Sequence, residues 1–172
     1  MSLSIAHMKL APNARRAAGL VLEAHPSAQF TSGRRDVYDQ ARVMAQNVVR
    51  LGAAWLKDTY RDPRLVSLLM NYVEEHPENT ASSVLLANGF YQTLQEHYAG
   101  DLARFPHLRG DAFDLAWPRL AGGAIDRGTG EAMCRTIEFL PVELGLKMIL
   151  KREGQLDVIH AEFAHAVPPV QA

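Results

Sequence analysis

Apolar residues recur at alternating intervals of four and three along one stretch of the chain, the spacing of one face of an α-helix. This pattern predicts a helix over about 36–57, and its stripe consists of Val37, Ala41, Met44, Val48, Leu51 and Trp55. Elsewhere, Pro, Gly and capping residues indicate where helices begin and end. They predict helices over 14–24, over 63–75, from Asn79 or Thr80 to Gly100, and over 142–151 with an end at Gly154.

Three segments flanked by Gly or Pro are too short for stable helices and are predicted as strands. They are residues 28–34, 112–117 and 156–163, and the Gly-rich stretch 121–130 is predicted as a loop. Helices and a few short strands without linkers or repeats indicate a single α+β domain over 1–172, with a C-terminal tail from about 166. Its helices are expected to cover one side of a small, mainly antiparallel sheet.

Composition limits the partners and the metal ligands that are expected of this chain. The formal net charge of −1 over 172 residues offers no attraction for nucleic acid or an anionic membrane, so neither is expected as a partner, and a monomer is expected. No apolar run reaches membrane-spanning length and no targeting segment is convincing, so synthesis in the cytoplasm is expected. The single cysteine, Cys134, excludes an internal disulfide and a sulfur-rich zinc site. Any metal must therefore be held by histidines and carboxylates.

The segment that begins at His107 carries the first candidate chemistry. After a turn at Gly110, a short strand places Ala112, Asp114 and Ala116 on one face. The opposite face consists of Phe113, Leu115 and Trp117, which would anchor the strand in the core. Small neighbours around Asp114 leave room for a ligand. The structural alternative is a surface histidine and a capping or salt-bridged carboxylate.

A second candidate segment combines Asp157, His160 and Glu162 in an apolar strand. Burying an unpartnered polar group costs about 1–3 kcal/mol or more, so either a metal site or an edge strand facing water must explain it. Glu162 shares a face with His160 and is expected to orient its imidazole. Asp157 would point to the opposite face of a regular strand, so we expect it at the loop-to-strand junction after Gly154 and Gln155.

The two segments together resemble the zinc peptidase family that includes D-Ala-D-Ala carboxypeptidases, vancomycin-resistance D,D-dipeptidases and phage L-Ala-D-Glu endopeptidases. The family pattern H-x-x-G-x-A-x-D, followed by [E/D]-x-x-H, is matched by HLRGDAFD from His107 and DVIH from Asp157. The upstream sequence SGRR, from Ser32, is similar to the family element S-G-x-R. The resemblance implies a D,D-peptidase/hedgehog-like fold.

For the metal, the resemblance implies that His107, Asp114 and His160 bind Zn²⁺. Three nitrogen or oxygen ligands with an open fourth position are typical of catalytic zinc. His165 is the competing third ligand, and it ranks behind His160 because two prolines follow it, at 168 and 169.

For the reaction, the resemblance implies that Asp157 is the general base on the metal-bound water. Arg35 would steady the scissile carbonyl oxygen or a substrate carboxylate, and Ser32 would contribute to substrate binding. An aspartate as base resembles the phage endopeptidase branch more than the dipeptidase branch.

We therefore expect an endolysin-like L-Ala-D-Glu endopeptidase that acts on the stem peptide of peptidoglycan, after release by lysis or through a pore. One alternative is a D-Ala-D-Ala carboxypeptidase or dipeptidase. Another is a non-catalytic virion or wall-binding protein that retains the fold. The remaining alternative is a plain helical protein in which the motif matches arose by chance.

Overall fold

The computed structural model describes residues 3–151 and 156–165. Its internal contacts divide the chain into a sheet unit, which is the chain up to Arg34 and from Arg109 onward, and a helical unit, Arg35–Leu108. The predicted tail from about 166 and the predicted helix end at Gly154 lie outside the described residues. The single catalytic domain over 1–172 stays a prediction. Among the described residues, no helix combines the length and apolarity needed to cross a bilayer.

Seven α-helices, three 3-10 helices and four strands make up the regular structure of the described residues. The helices are α1 (Pro12–Ala24), α2 (Val37–Leu51), α3 (Ala54–Thr59), α4 (Pro63–Glu75), α5 (Ser83–His97), α6 (Pro106–Arg109) and α7 (Arg127–Glu138). The strands are β1 (Phe30–Ser32), β2 (Ala112–Ala116), β3 (Leu146–Leu150) and β4 (Val158–Phe163). The strands form one antiparallel sheet in the order β1-β2-β4-β3. The predicted α+β class with a small antiparallel sheet is confirmed.

One face of the sheet forms the core of the sheet unit. Phe113 and Leu115 of β2 and Ile159 of β4 are fully buried there, in one apolar cluster with residues of α1 and α7. Successive side chains of a strand point to opposite faces, so Asp114 and His160 lie on the other face of the sheet. The predicted anchoring of β2 by its apolar face is confirmed.

The predicted helix over 36–57 is two helices. α2 begins after Asp36, whose carboxylate accepts a hydrogen bond of 2.7 Å from the backbone N–H of Asp39. It ends at Gly52, whose φ of 86° lies in the region that favours glycine, and α3 follows. The predicted stripe is buried at Ala41, Met44, Val48 and Trp55. The periodicity continues across Gly52, which explains why the pattern alone hides the break.

Two other helix predictions hold with small changes. α4 has the predicted bounds, and α1 begins two residues earlier than predicted. The N-cap of α5 is Ser82, which accepts from the N–H of Leu85 at 3.4 Å, rather than Asn79 or Thr80. Both of those residues belong to a short 3-10 helix, Pro77–Ala81.

The predicted helix over 142–151 is wrong. A 3-10 turn at Val142–Leu144 ends at Gly145, which has a left-handed φ of 61°, and β3 follows in pairing with β4. A short apolar run fits a helix or a strand equally well, and here pairing with β4 decides. The predicted loop 121–130 is also too long, because α7 begins at Arg127 after its N-cap, Asp126.

Candidate metal centre

Asp114 and His160 are direct neighbours across two strands. They are paired in the antiparallel register of β2 and β4, with Oδ1 of Asp114 and Nδ1 of His160 2.7 Å apart. Their exposed fractions are only 3% and 4%. Ser32 on β1 pairs with Asp114 from the other side. The register of the sheet therefore aligns three predicted site residues in one row.

His107 lies in α6, and the chain continues from this short helix through Gly110 directly into β2. Gly110 has a φ of 79°, and a Cβ there would lie 3.0 Å from the backbone oxygen of Lys9. Both facts restrict this position to glycine. The predicted turn is confirmed, and it holds the buried His107 just ahead of the strand that carries Asp114.

The structure brings His107, Asp114 and His160 together. One ligand atom of each lies within 4.8 Å of the other two, and all three side chains are buried. This buried His-Asp-His group could hold a metal ion.

The second ring nitrogen of His160 also has a carboxylate partner. Nε2 of His160 lies 3.0 Å from Oε1 of Glu162, which is on the same face of β4. A metal-binding histidine usually donates its other N–H to a carboxylate, which fixes the tautomer and the orientation of the ring. Glu162 therefore lies where an orienting partner is expected, and Nδ1 is the nitrogen that faces Asp114.

Asp157 lies in the bend immediately before β4, so its predicted place at the loop-to-strand junction is confirmed. Its backbone oxygen accepts from the N–H of Trp117 at 3.1 Å, and its Oδ2 lies 3.1 Å from Nη2 of Arg119. The upstream Gly154 and Gln155 lie outside the described residues. The sequence did not predict Arg119 as a partner of Asp157, since no local motif links the two residues. The general-base role of Asp157 stays a prediction.

Arg35 is held from two sides within the helical unit. Its backbone N–H donates to the carbonyl oxygen of His107 at 3.1 Å, and its Nη1 donates to Oε1 of Gln40 at 3.1 Å. Gln40 is 3% exposed and donates in turn to the hydroxyl of Tyr60 at 3.1 Å. Gln40 was not predicted as a site residue. A polar residue next to Ala41, in the buried stripe of α2, nevertheless indicates a buried side chain that needs a hydrogen-bond partner.

His165, the competing ligand, has a different partner. Its Nδ1 lies 2.8 Å from Oδ1 of Asp111, a fully buried carboxylate that also accepts from Nε of Arg109 at 2.6 Å. His165 is not part of the group formed with Asp114. This supports ranking it behind His160.

Comparisons of the chain with protein-family models, curated proteins and solved structures find no match. The resemblance of the motifs to zinc peptidases therefore stays a prediction. The site rests on its own geometry, which is a buried His-Asp-His group with the capacity to hold a metal ion.

Proposed function

We propose that this protein is a zinc-dependent peptidoglycan peptidase, most simply an endolysin-like L-Ala-D-Glu endopeptidase. The observation that carries the proposal is the buried group of His107, Asp114 and His160. These are the residues for which the motif resemblance implies zinc binding, and His160 comes from a separate motif, 46 positions beyond Asp114. A chance match to the motifs gives no reason for their side chains to meet.

The donor set favours a catalytic over a structural ion. Structural zinc sites are closed by four protein ligands, usually including cysteines, whereas catalytic sites have three protein ligands and one open position. Two imidazoles and one carboxylate fit the second class. When bound, zinc would supply a Lewis acid that polarises a peptide carbonyl and lowers the pKa of water.

The protein's own side chains would transfer the proton, stabilise the developing charge and bind the substrate. Asp157 would take a proton from the attacking water and deliver it to the leaving amine. Arg35 would stabilise negative charge on the carbonyl oxygen, and its bond to the buried Gln40 fixes the direction of the guanidinium before substrate binds. Ser32, in the row with Asp114, would contribute to substrate binding.

The substrate assignment follows from the motif resemblance, in which an aspartate as base favours the endopeptidase branch. The substrate would be the stem peptide of peptidoglycan. The protein would be synthesised in the cytoplasm and released by lysis or through a pore, and it would then act on the cell wall.

Digestion of purified sacculi with the zinc-supplemented protein tests the proposal. We expect soluble fragments whose masses correspond to cleavage between L-Ala and D-Glu. Loss of terminal D-Ala alone would indicate the carboxypeptidase alternative. Intact stem peptides after prolonged incubation would contradict both activities and favour the non-catalytic wall-binding alternative.

Asp157→Asn tests the base. We expect cleavage to fall by about 10²–10⁴-fold, the usual contribution of a general base, while zinc content stays unchanged. Asp39→Asn is the matched control, because Asp39 also forms an ion pair with an arginine, at 3.2 Å, but lies on the exposed side of α2. Undiminished cleavage by the Asp157 variant would remove Asp157 from the mechanism.

A further inference from the structure

The row of site residues across the sheet continues to an apolar residue. On β3, Leu150 pairs with His160, which pairs on its other side with Asp114 of β2. From one edge of the sheet to the other, the row therefore consists of Ser32, Asp114, His160 and Leu150. Directly opposite residues of antiparallel strands have Cβ atoms about 4.5–5.5 Å apart, so Leu150 lies beside the side chain of His160.

Met148 and Leu150 form an apolar strip on the face of the sheet that carries this row. Met148 pairs with Glu162, and both residues of the strip are half-buried. Ile149 lies between them, points to the other face and packs on the apolar core. Among the described residues that form or pack on that core, neither Met148 nor Leu150 is included. The apolar strip therefore belongs to the site face of the sheet and not to the core.

The apolar strip lies within reach of a peptide at the His-Asp-His group. Neighbouring strands are about 4.7–4.9 Å apart, so β3 lies about 7 Å from the line midway between β2 and β4, where Asp114 faces His160. One residue of an extended peptide spans at most about 3.3–3.6 Å. Two peptide residues cover this distance, and the side chains on both sides close part of it. The residue next to the cut bond would therefore contact Leu150.

The polarity of the row distinguishes between the two residues that flank an L-Ala–D-Glu bond. The alanine has an apolar side chain, whereas the glutamate has a charged one. At the apolar strip a glutamate would lose its water against Met148 and Leu150, and it would meet the like charge of the Glu162 carboxylate. The opposite end of the row is the polar Ser32. The alanine therefore suits the β3 end of the row and the glutamate the β1 end.

We infer that the apolar strip is a subsite that determines specificity, in which Leu150 contacts the alanine methyl group of the substrate while the glutamate points toward Ser32. The identity of this substrate rests on the proposed function. Because a side chain forms the wall of the subsite, the size of residue 150 limits the alkyl group that fits beside the cut bond. One methylene group in an apolar pocket changes kcat/KM by about 10–200-fold.

Cleavage of two N-acetylated stem tripeptides by the zinc-loaded full chain tests this inference. One peptide has the natural L-Ala, and L-Val replaces it in the other. We expect wild type to favour L-Ala, and Leu150→Ala to raise the ratio of kcat/KM for L-Val over L-Ala by about tenfold. Leu150→Met nearly conserves the volume and is expected to retain the wild-type ratio. An unchanged ratio in Leu150→Ala would overturn the inference.

Ile149→Ala is the matched control, because Ile149 lies on the same strand but packs on the core. It is expected to lower the melting temperature without changing the ratio, which separates the subsite from a general loss of packing. Ser32→Ala, at the other end of the row, is expected to lower kcat/KM for both peptides by the same factor. A ratio that changes equally in Ile149→Ala and Leu150→Ala would also contradict the inference.

Calorimetry with uncleavable analogues separates this inference from the proposed function. In these analogues of the two tripeptides a ketomethylene unit replaces the amide before D-Glu. We expect wild type to bind the L-Ala analogue more tightly than the L-Val analogue, and Leu150→Ala to reduce this preference. Intact sacculi together with Leu150-dependent binding would contradict only the proposed function. Cleaved sacculi with a preference that does not depend on Leu150 would contradict only this inference, and binding of neither analogue would contradict both.

Discussion

Asp114 and His160 face each other across β2 and β4 with Oδ1 and Nδ1 2.7 Å apart. A slip of one residue between these strands would move one of the two side chains to the opposite face of the sheet. Their immediate neighbours, Phe113, Leu115 and Ile159, are fully buried on the core face and hold the register. Packing on one face of the sheet therefore fixes the positions of Asp114 and His160 on the other.

His107→Ala tests whether the His-Asp-His group holds an ion. We expect about one equivalent of zinc in wild type after purification without chelators, and a large loss in the variant, because two protein ligands do not complete a catalytic zinc site. Zinc content is measured by elemental analysis. A chelator is also expected to lower the melting temperature of wild type, since an ion that binds only the folded state stabilises it.

His97→Ala is the control for that measurement, because the side chain of His97 is 59% exposed at the end of α5. It is expected to retain the zinc content of wild type. Equal zinc content in the His107 and His97 variants would remove His107 from the site.

Glu162→Ala tests the orientation of His160. Loss of a carboxylate that orients a ligand usually weakens metal binding by about 10–100-fold. Glu162→Gln is expected to fall between this variant and wild type, because the amide oxygen still accepts from Nε2 of His160. Competition with a chromophoric chelator measures the affinities. Glu143→Ala, at a side chain that is 58% exposed, is the control, and an unchanged affinity in Glu162→Ala would contradict the orienting role.

Local pattern in the sequence was sufficient for much of the fold and for the core of the site. The alternation around Asp114 predicts which face of β2 is apolar, and Gly110 predicts the turn between His107 and this strand. Both are properties of adjacent residues, so both are visible in one segment. Pro63 likewise marks the beginning of α4 correctly.

The parts that were missed depend on contacts between distant residues. β3 has a pattern that also fits a helix, and its pairing with β4 is a long-range event. The ion pair of Arg119 with Asp157 joins positions that no motif connects. Gln40 differs, because a polar residue next to a buried helical stripe is visible locally, even though its bond to Arg35 is not.

Gly89→Ala tests the packing of α5 on α4. A Cβ at Gly89 would overlap the ring of Tyr72, and that ring is held in place by a 2.9 Å bond from Asn79 and an edge contact with Phe90. Overpacking of this kind costs about 1–3 kcal/mol. Urea denaturation is expected to show a corresponding fall in the free energy of unfolding.

Gly19→Ala is the matched control, because Gly19 is also helical but a Cβ there would meet nothing within 4 Å. This substitution is expected to stabilise the protein by up to about 1 kcal/mol, since alanine loses less conformational entropy in a helix. A Gly89 variant as stable as the Gly19 variant would show that Tyr72 moves aside freely.

Tyr98→Phe tests a charged hydrogen bond in the helical unit. The hydroxyl of Tyr98 donates to Oδ2 of Asp62 at 2.6 Å, and this bond is the main cause that lowers the pKa of Asp62 below its usual 3.8. Hydrogen bonds to charged groups contribute about 1.5–3 kcal/mol, so the variant is expected to lose about that much stability at pH 7. Chemical denaturation of both proteins across a pH series measures the difference.

The two shifted pKa values determine how the stability difference between wild type and Tyr98→Phe changes with pH. Because the pKa of Asp62 is lowered in the folded state, the bond stabilises the protein above pH 3.8. This stabilisation is lost as the pH falls through the folded pKa of Asp62. The difference in the free energy of unfolding between wild type and Tyr98→Phe therefore shrinks in acid. Burial, followed by the bond to Asp62, raises the pKa of Tyr98 from 10.0 to about 12, so the difference also shrinks as the pH rises from 10.0 toward 12. Tyr38→Phe is the control, because the Tyr38 hydroxyl donates to the neutral Asn88. A difference for Tyr98→Phe that is constant from acid to alkali would mean that Asp62 ionisation is not coupled to this bond.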